Sequence, residues 1–232
     1  MHVLSVLAVA TLAPVALGAP IRTYDASLDT LPTAQGWTFD GNSTTGLGVA
    51  GGVMSYGPAS VAGTTYWDAD LPDDAMDFAT QTWSLTVDVR LTESSYGNVS
   101  GFRRGGFTVY LEDDAQNWII ADIGSSAISL RNDNNGLSDP EDTFDLTQDF
   151  HLVTLEAGPS GARLLVDGVE KLTLALGASG GSPNSAIFGD SSILAGALLT
   201  EVRGASLVPA PAVAALGAPM ALAGAVRRRR SR

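Results

Sequence analysis

The sequence has no cysteine and only two histidines, His2 and His151, among its 232 residues. Without cysteine the chain has no disulfide framework, no thiol nucleophile and no zinc-thiolate site. Residues 177–181 spell G-x-S-x-G, the pattern of a serine nucleophile on a strand-to-helix turn. The histidine of such a triad follows the serine, whereas His151 precedes it. We therefore interpret residues 177–181 as a surface loop.

Basic residues are also scarce, since 13 Lys and Arg stand against 25 Asp and Glu and give a formal net charge of −12. Five of the basic residues lie within the last six positions, so the rest of the chain has eight bases against 25 acids, a charge of −17. A body this acidic repels phosphate backbones and anionic lipid, which argues against nucleic-acid binding. The hydrophobic content of 45%, with 4 Trp, 5 Tyr and 7 Phe, is sufficient for one folded domain with a core.

The first 19 residues have the layout of a secretory signal peptide. An apolar stretch runs from Val3 to Leu17 and is followed by the small residues Gly18 and Ala19. Small side chains at this place suit the pocket of the signal peptidase. Pro14 would break a longer buried helix. We therefore predict that residues 1–19 form a helical export signal that is removed.

The last 25 residues, 208–232, combine three features in a fixed order. A Val-Pro-Ala-Pro motif opens the segment, an apolar stretch of 15 residues follows from Ala212 to Val226, and a cluster of arginines ends the chain. The apolar stretch is shorter than the roughly 20 residues of an ordinary spanning helix and contains Pro219. By the positive-inside rule, the arginines would stay on the cytoplasmic side of a membrane.

This order resembles the PEP-CTERM sorting signal of bacterial surface proteins, with Ala210 at the position of the motif's usual glutamate. The resemblance implies processing by an exosortase-type transpeptidase. It also implies transient anchoring in the inner membrane through a short C-terminal helix, and final display at the cell surface or outside the cell. The residues that carry it are Val208, Pro209, Pro211, Arg227, Arg228, Arg229 and Arg230.

Between these two segments the sequence consists of short strand-like runs. Apolar and polar side chains alternate strictly from Trp83 to Leu91, which is typical of a strand buried on one face. The turn-rich residues 113–117 separate two further runs and predict a hairpin of residues 106–112 and 118–123. Turn residues also divide the segment 150–174 into a predicted three-stranded meander. Residues 127–131, 187–190 and 197–207 supply the other predicted strands. The pattern indicates an all-β fold, an antiparallel sandwich of two sheets.

Several short motifs along the body match one family of such sandwiches. They are Tyr24-Asp25-Ala26-Ser27, Gly36-Trp37, the run from Trp83 to Leu91, Phe150-His151, Leu165-Val166-Asp167-Gly168 and Phe188-Gly189-Asp190. With them the body resembles the laminin-G-like, concanavalin-A-like jelly rolls that are common on bacterial surfaces. The resemblance implies a single jelly-roll domain over residues 20–207. It leaves the function open, because lectins, glycosidases and adhesive modules share this fold.

Two carboxylates, Glu112 and Asp114, are the catalytic candidates. Glucanases of this fold carry E-x-D-x-E or E-x-D-x-x-E on one strand, where alternate carboxylates serve as nucleophile and acid/base. Glu112 and Asp114 match the first half of that pattern. Gln116 and Asn117 stand where the last glutamate would be, and an amide cannot carry a proton to the leaving group. We interpret residues 112–114 as part of a solvated hairpin turn.

Aromatic and basic side chains near the predicted hairpin are the candidates for sugar contacts. Aromatic faces stack on sugar rings, although most aromatic residues of a sandwich belong to its core. The candidates are Tyr110, Trp118 and Arg131, together with Tyr66 and Trp67.

Calcium is the cofactor that the composition favours. Residues 132–142 place carboxylate and amide oxygens in one loop, and hard cations prefer such ligands. The metal candidates in this loop are Asp133, Asn135 and Asp139. A second acidic cluster runs from Asp68 to Asp74. Neither segment has the spacing of an EF-hand, and Asn/Asp-rich turns also form without metal.

The sequence leaves three functional hypotheses open. The first is a secreted, non-catalytic surface module that binds glycans or contributes to adhesion. The second is a relative of glycoside hydrolases or polysaccharide lyases with its carboxylates placed elsewhere. The third is a purely structural surface protein. A polysaccharide is the expected ligand in the first two.

Overall fold

The computed structural model of the protein describes residues 19–57, 64–93, 97–99, 102–104, 106–132, 139–178, 183–190 and 199–209. Two short 3-10 turns, Ala26–Leu28 and Pro32–Gln35, are the helical elements of these residues. The strands of the described residues are β1 (Arg22–Asp25), β2 (Thr38–Phe39), β3 (Gly48–Ala50), β4 (Val53–Tyr56), β5 (Thr65–Asp68), β6 (Trp83–Glu93), β7 (Gly97–Val99), β8 (Phe102–Arg104), β9 (Phe107–Glu112), β10 (Asn117–Ile123), β11 (Ala127–Arg131), β12 (Glu141–Thr143), β13 (His151–Gly158), β14 (Gly161–Val166), β15 (Val169–Leu174), β16 (Gly177–Ala178), β17 (Ser185–Asp190) and β18 (Leu199–Pro209).

The strands form two antiparallel sheets that pack into a sandwich. Sheet A has the order β15-β14-β13-β6-β18-β4-β3, and β1 pairs with β18 beside β4. Sheet B has the order β12-β11-β10-β9-β17-β5-β2, and β16 pairs with β10. Strands β7 and β8 form a separate hairpin. The predicted all-β, two-sheet antiparallel sandwich is therefore confirmed.

The core lies between the two sheets and follows the alternation of the sequence. On β6, the side chains of Trp83, Leu85, Val87, Val89 and Leu91 are all buried, as the period of two predicts. Sheet B faces them with alternate residues of β9 and β10. Burial of each large apolar side chain stabilises the fold by about 1.5–3 kcal/mol. The buried residues of these two strands are Phe107, Val109, Leu111, Ile119, Ala121 and Ile123.

The predicted meander is present as β13, β14 and β15, and its turns explain its register. Asp167 and Gly168 connect β14 to β15 with φ angles of 52° and 76°. Positive φ at both central residues is the requirement of a type I′ turn, whose twist matches that of the flanking strands. The other corner pairs Gly158 with Gly161 across a two-residue connection. Local turn chemistry thus fixes this part of sheet A.

Five strands lie before Trp83, where the sequence analysis predicts none. They are two to four residues long. Strands β3 and β4 form a local hairpin around Gly51 and Gly52, whereas β1 and β5 are held by partners far along the chain. In β1, Tyr24 pairs with Ala205, and in β5, Trp67 pairs with Phe188. Trp67 is 1% exposed and packs against Phe188 in the core, so its assignment as a surface candidate is wrong.

The last strand runs two residues beyond the predicted domain boundary at residue 207. In β18, Val208 pairs with Ser84 and Pro209 with Trp83, so both residues belong to sheet A. A proline is tolerated at the end of a strand because no further ladder bond is needed there. The first two residues of the predicted sorting motif are thus part of the sandwich.

The predicted export segment covers residues 1–19 and the predicted sorting segment residues 208–232. Of these, residues 1–18 and 210–232 lie outside the described residues. Within the described ranges, no helix is long and apolar enough to cross a membrane.

Candidate ligand-binding site

The outer face of sheet B, here called the B face, carries most of the candidate residues. Residues opposite each other on adjacent antiparallel strands point to the same side, so the strand register defines rows of side chains on this face. The rows are Trp118, Glu112 and Ser185; then Arg131, Ile120, Tyr110, Ile187 and Asp68; then Ser129, Asp122, Thr108, Gly189 and Tyr66.

A cavity of about 300 Å³ opens on the B face, across β5, β9, β10 and β17. Its volume lies at the lower end of the roughly 300–1,000 Å³ of ligand pockets. The lining combines two tyrosines, two carboxylates, three hydroxyl side chains and two isoleucines, a mixture of apolar surface and hydrogen-bonding groups. The lining residues are Asp40, Thr64, Tyr66, Asp68, Thr108, Tyr110, Ile120, Ser185 and Ile187.

Asp68 is held firmly in the wall of this cavity. The hydroxyl of Ser185 donates to Oδ2 of Asp68 at 2.5 Å, and the N–H groups of Asp70 and Ala186 donate to Oδ1 at 3.1 and 3.2 Å. Burial raises the pKa of the Asp68 carboxyl, and these three hydrogen bonds oppose the rise only in part. The carboxyl is therefore oriented and retains its proton to a higher pH than a free aspartate.

Tyr66 and Asp40 form a second polar pair at the cavity. The phenol of Tyr66 donates a hydrogen bond to Oδ2 of Asp40 at 3.2 Å. The main chain of the two segments is joined as well, because the N–H of Asp40 donates to the carbonyl of Tyr66. Burial, followed by the negative charge of Asp40, raises the pKa of the Tyr66 phenol. Tyr66 thus stays a hydrogen-bond donor at neutral pH.

Tyr110 and Trp118 bring an aromatic pair to the B face. Their rings are 6.2 Å apart at an angle of 41°, and Tyr110 also lines the cavity. Trp118 is 5% exposed, and its Nε1–H has no hydrogen-bond partner within the described part of the chain. Tyr110 is therefore the member of the pair that a ligand in the cavity can contact, and Trp118 packs beside it.

Glu112 and Asp114, the catalytic candidates, are separated by the geometry of the turn. Strand β9 ends at Glu112, which is fully buried on the B face between Trp118 and Ser185. Asp114 lies beyond the strand end, is exposed, and accepts a hydrogen bond from Nδ2 of Asn184 at 3.0 Å. The two carboxylates are therefore not alternate residues of one strand.

The interpretation of residues 112–114 as a solvated turn is wrong for two of the three residues. Asp113, like Glu112, is fully buried. It accepts hydrogen bonds from the N–H of Phe78 at 3.1 Å and from the N–H of Asn117 at 2.7 Å. Asp113 thus closes the β9–β10 hairpin and ties it to the segment around Phe78. A buried carboxylate is stable when backbone donors satisfy it, and these donors come from the fold.

Arg131 is also buried rather than available to a ligand in this structure. Its Nε contacts Oδ2 of Asp122, and the two side chains are 7% and 2% exposed. Both residues lie on the B face, on the adjacent strands β11 and β10. The guanidinium is thus committed to a buried ion pair next to the aromatic pair, where it orders the face.

The metal candidates lie mostly beyond what the structure describes. Asp133 and Asn135 are outside the described residues, and Asp139 is a buried residue at the end of that loop. In the second acidic cluster, Asp68 faces the cavity, whereas Asp74 lies beside Asp114. Within the described ranges no three carboxylate or imidazole side chains come together in a way that could hold an ion. Calcium stays a prediction of the sequence.

Of the nine residues that line the cavity, only Tyr66 and Tyr110 were ligand candidates from the sequence, and the polar residues Asp40, Asp68 and Ser185 were not. Asp68 was considered only as part of an acidic cluster. A signal for it was present, because Tyr66 and Asp68 are two residues apart in a strand and share a face. No such signal exists for Asp40 or Ser185, which reach the cavity through pairing with distant segments.

Comparisons with known proteins relate the chain to others through its fold. No family model and no curated protein matches the sequence. Among solved structures, a carbohydrate esterase of the Shiga toxin-encoding bacteriophage phi24B is similar with a TM-score of 0.57 at 11% identity, over 82% of this chain and 98% of that chain. A Crh5 transglycosylase solved with NAG is similar with a TM-score of 0.53 at 12% identity, over 85% of this chain and 88% of that chain. A glycosidic hydrolase reaches 0.50 at 12% identity, over 84% of this chain and 97% of that chain. At such identities the likeness shows a shared jelly-roll sandwich.

Proposed function

We propose that the protein is an exported surface module that binds glycans in the cavity of the B face without cleaving them. The observation that carries the proposal is the lining of this cavity. Tyr66 and Tyr110 offer ring surfaces, and Asp40, Asp68, Thr108 and Ser185 offer hydrogen-bonding groups around them. Sugar rings present an apolar face and a rim of hydroxyls, so they match a site of this composition.

The surroundings of the cavity support the same proposal. The ring of Tyr110 packs beside the buried ring of Trp118, which helps to hold Tyr110 in place at the cavity. Three hydrogen bonds fix Asp68, and the Arg131–Asp122 pair fixes the neighbouring strands. A polar group that is already oriented loses little conformational entropy when it binds. The fold is also shared with proteins that act on carbohydrates.

Substitution of an aromatic residue in the cavity tests glycan binding. A panel of soluble polysaccharides is run against the protein by affinity electrophoresis, and Tyr110→Ala is compared with Phe150→Ala. Phe150 directly precedes β13 of the other sheet and packs against Arg90 and Arg203, so it is a matched aromatic control. We expect Tyr110→Ala to weaken retention about tenfold, the equivalent of one lost aromatic contact, and Phe150→Ala to leave it unchanged. Equal retention of both variants would contradict the proposed site.

A hydrolase is the second candidate, favoured by the pKa of Asp68. Burial raises the pKa of this carboxyl, and Asp40 supplies a second carboxylate in the same cavity. Glycoside hydrolases use two carboxyl groups, one protonated and one ionised. Release of reducing ends from the polysaccharide panel that disappears in Asp68→Asn would favour this function. Retention without release favours binding.

Export and sorting are the second part of the proposal and rest on the two terminal segments. Because Val208 and Pro209 belong to β18, deletion of residues 210–232 removes the arginines and the apolar stretch while it preserves sheet A. We expect a bacterial host with an exosortase-type system to display the full chain at its surface and to misplace the deleted form. Equal surface display of both forms would remove the support for sorting.

A further inference from the structure

The cavity of the B face carries negative charge on two sides of an aromatic ring. Asp40 and Asp68 both line the cavity. Tyr66 connects them, because its phenol donates a hydrogen bond to Asp40 and its side chain lies on the same face of β5 as Asp68. No lysine or arginine is among the described residues that line the cavity. The nearby guanidinium of Arg131 is already paired with Asp122.

The two carboxylates differ in how much hydrogen-bonding capacity remains. Asp68 has donors on both oxygens, namely Ser185 Oγ on Oδ2 and two backbone N–H groups on Oδ1. Asp40 is exposed and receives one side-chain hydrogen bond, from Tyr66 on Oδ2, within the described part of the chain. Asp40 is therefore the carboxylate of the pair with more capacity left to accept from a bound cation.

The negative charge of the cavity should give acidic, neutral and amino sugars different affinities. A carboxylate-bearing sugar would place like charges together, and two charges 4 Å apart interact strongly enough, even in water, to change an affinity about fivefold. A neutral sugar gains hydrogen bonds from the same groups but no charge attraction. A sugar with a free amino group gains both, because its ammonium donates to a carboxylate in a charge-assisted hydrogen bond.

We propose that the B-face cavity selects amino sugars with a free amine, and that Asp40 binds the ammonium group while Tyr66 and Tyr110 contact the ring. This inference rests on the proposed glycan binding and names its ligand class. The cavity and the two tyrosine rings that line it indicate a ring-shaped ligand independently of the acids.

The test uses the full chain and three tetrasaccharides of matched size, one of glucosamine, one of N-acetylglucosamine and one of galacturonic acid. Affinities are measured by calorimetry at a pH at which the amine is protonated, in low and in moderate salt. We expect the glucosamine tetramer to bind best, the acetylated tetramer about fivefold more weakly, and the galacturonate tetramer least. Salt should weaken only the first interaction.

Variants separate the site from the overall charge of the protein, because a net charge of −12 attracts cations on its own. Asp40→Asn removes one charge but keeps an oxygen that can accept from Tyr66. Asp149→Asn removes one exposed charge beside sheet A and is the matched control. We expect Asp40→Asn to weaken binding of the glucosamine tetramer about fivefold more than binding of the acetylated one, and Asp149→Asn to change neither.

The outcomes also distinguish this inference from the proposed function. If the acetylated tetramer binds as well as the amine, or the galacturonate binds better, the proposed selectivity is wrong. Glycan binding still stands in that case, provided that Tyr110→Ala weakens it. If Asp40→Asn and Asp149→Asn weaken the amine equally, the attraction is general and the assignment to Asp40 is overturned. If none of the three tetramers and no polysaccharide binds, the proposed function fails and the inference fails with it.

Discussion

The outer faces of the two sheets use charge in opposite ways. On sheet A, the exposed acids of the central strands have arginine partners. Arg90 contacts Glu201 at 2.5 Å and Arg203 contacts Asp88 at 2.8 Å, and both guanidinium groups pack on the ring of Phe150. On the B face, Asp122 is paired with Arg131, whereas Asp40 and Asp68 remain at a cavity with hydrogen bonds but no described cation.

This difference separates a structural surface from a recognition surface. Sheet A also has open cavities, of about 790 Å³ beside the Arg163–Glu156 pair and about 460 Å³ beside Asp88, but Glu156 and Asp88 there have arginine partners. The acids at the B-face cavity have no described arginine partner and lie beside aromatic rings, and perturbed carboxyls in a cavity are typical of functional sites. This difference supports the proposed site on sheet B.

Replacement of Arg131 is expected to give the largest effect, because its ion pair is buried. Arg131→Met leaves the carboxylate of Asp122 in an environment that is 2% exposed, at a cost of about 3–5 kcal/mol in the free energy of unfolding. Arg203→Met breaks the pair with Asp88 on sheet A, where the arginine side chain is 49% exposed, and should cost about 1 kcal/mol or less. Urea unfolding of both variants measures the contrast.

The double variant Arg131→Met, Asp122→Asn gives the control for this contrast. Removal of both charges should recover part of the lost stability, because no buried carboxylate is left without its guanidinium. Equal losses in Arg131→Met and Arg203→Met would show that burial does not distinguish the two faces.

Two glycines allow a second comparison between the sheets, with a smaller expected effect. Gly189 in β17 has a φ of 137°, and a Cβ there would lie 2.4 Å from the carbonyl oxygen of Thr65. Gly204 in β18 would bring a Cβ to 3.0 Å from the carbonyl oxygen of Tyr24 and has no such φ. We expect Gly189→Ala to cost about 2–4 kcal/mol and Gly204→Ala about 1 kcal/mol.

Thermal unfolding, with the melting temperature read for each variant, tests the glycines. Gly168→Ala is a useful third variant, because its φ of 76° is strained for alanine although nothing lies within 4 Å of a Cβ there. A loss at Gly168 as large as that at Gly189 would mean that backbone conformation, and not the approach of β5, makes glycine necessary.

The sequence predicted those parts of the fold that local chemistry determines. The alternation from Trp83 to Leu91, the Asp167-Gly168 turn and the β9–β10 hairpin depend on residues close in sequence, and all three are confirmed. Strands β1 and β5 could not be predicted in this way, because they are ordered by β18 and β17, more than 100 residues away. The β3–β4 hairpin was not predicted, although its turn at Gly51 and Gly52 is local.

The same distinction between local and distant contacts explains which residues of the candidate site could be predicted. Tyr110 and Trp118 flank a hairpin that the sequence defines, so their neighbourhood was predictable, although a period of two does not tell which face is solvent. Asp40 and Ser185 reach the cavity only through pairing of distant strands. The burial of Glu112 was hidden because a run of acids and amides has the composition of an exposed turn.

The smallest expected effect is a difference in pH dependence between one carboxyl of each sheet. Burial raises the pKa of Asp68 above its ordinary value of 3.8, so ionisation of Asp68 destabilises the fold, and this penalty disappears as the pH falls through the raised pKa. Burial also acts on Asp167, but hydrogen bonds from His151 and from the N–H of Leu152 outweigh it and lower the pKa. The stabilisation that Asp167 provides is therefore complete above pH 3.8 and is lost as the pH falls through the lowered value.

The variants Asp68→Asn and Asp167→Asn test these two pH dependences of the unfolding free energy. As the pH is lowered from 7, the unchanged protein should gain stability relative to Asp68→Asn while the pH is still above 3.8. It should lose stability relative to Asp167→Asn only below that value. Urea midpoints at a series of pH values give both curves, and titration of the other carboxyls cancels in each difference. Each curve is the difference in stability between the unchanged protein and one variant as a function of pH. If both differences changed in the same direction as the pH falls, the cavity of the B face would not bury Asp68, and the contrast between the two faces would lose its electrostatic basis.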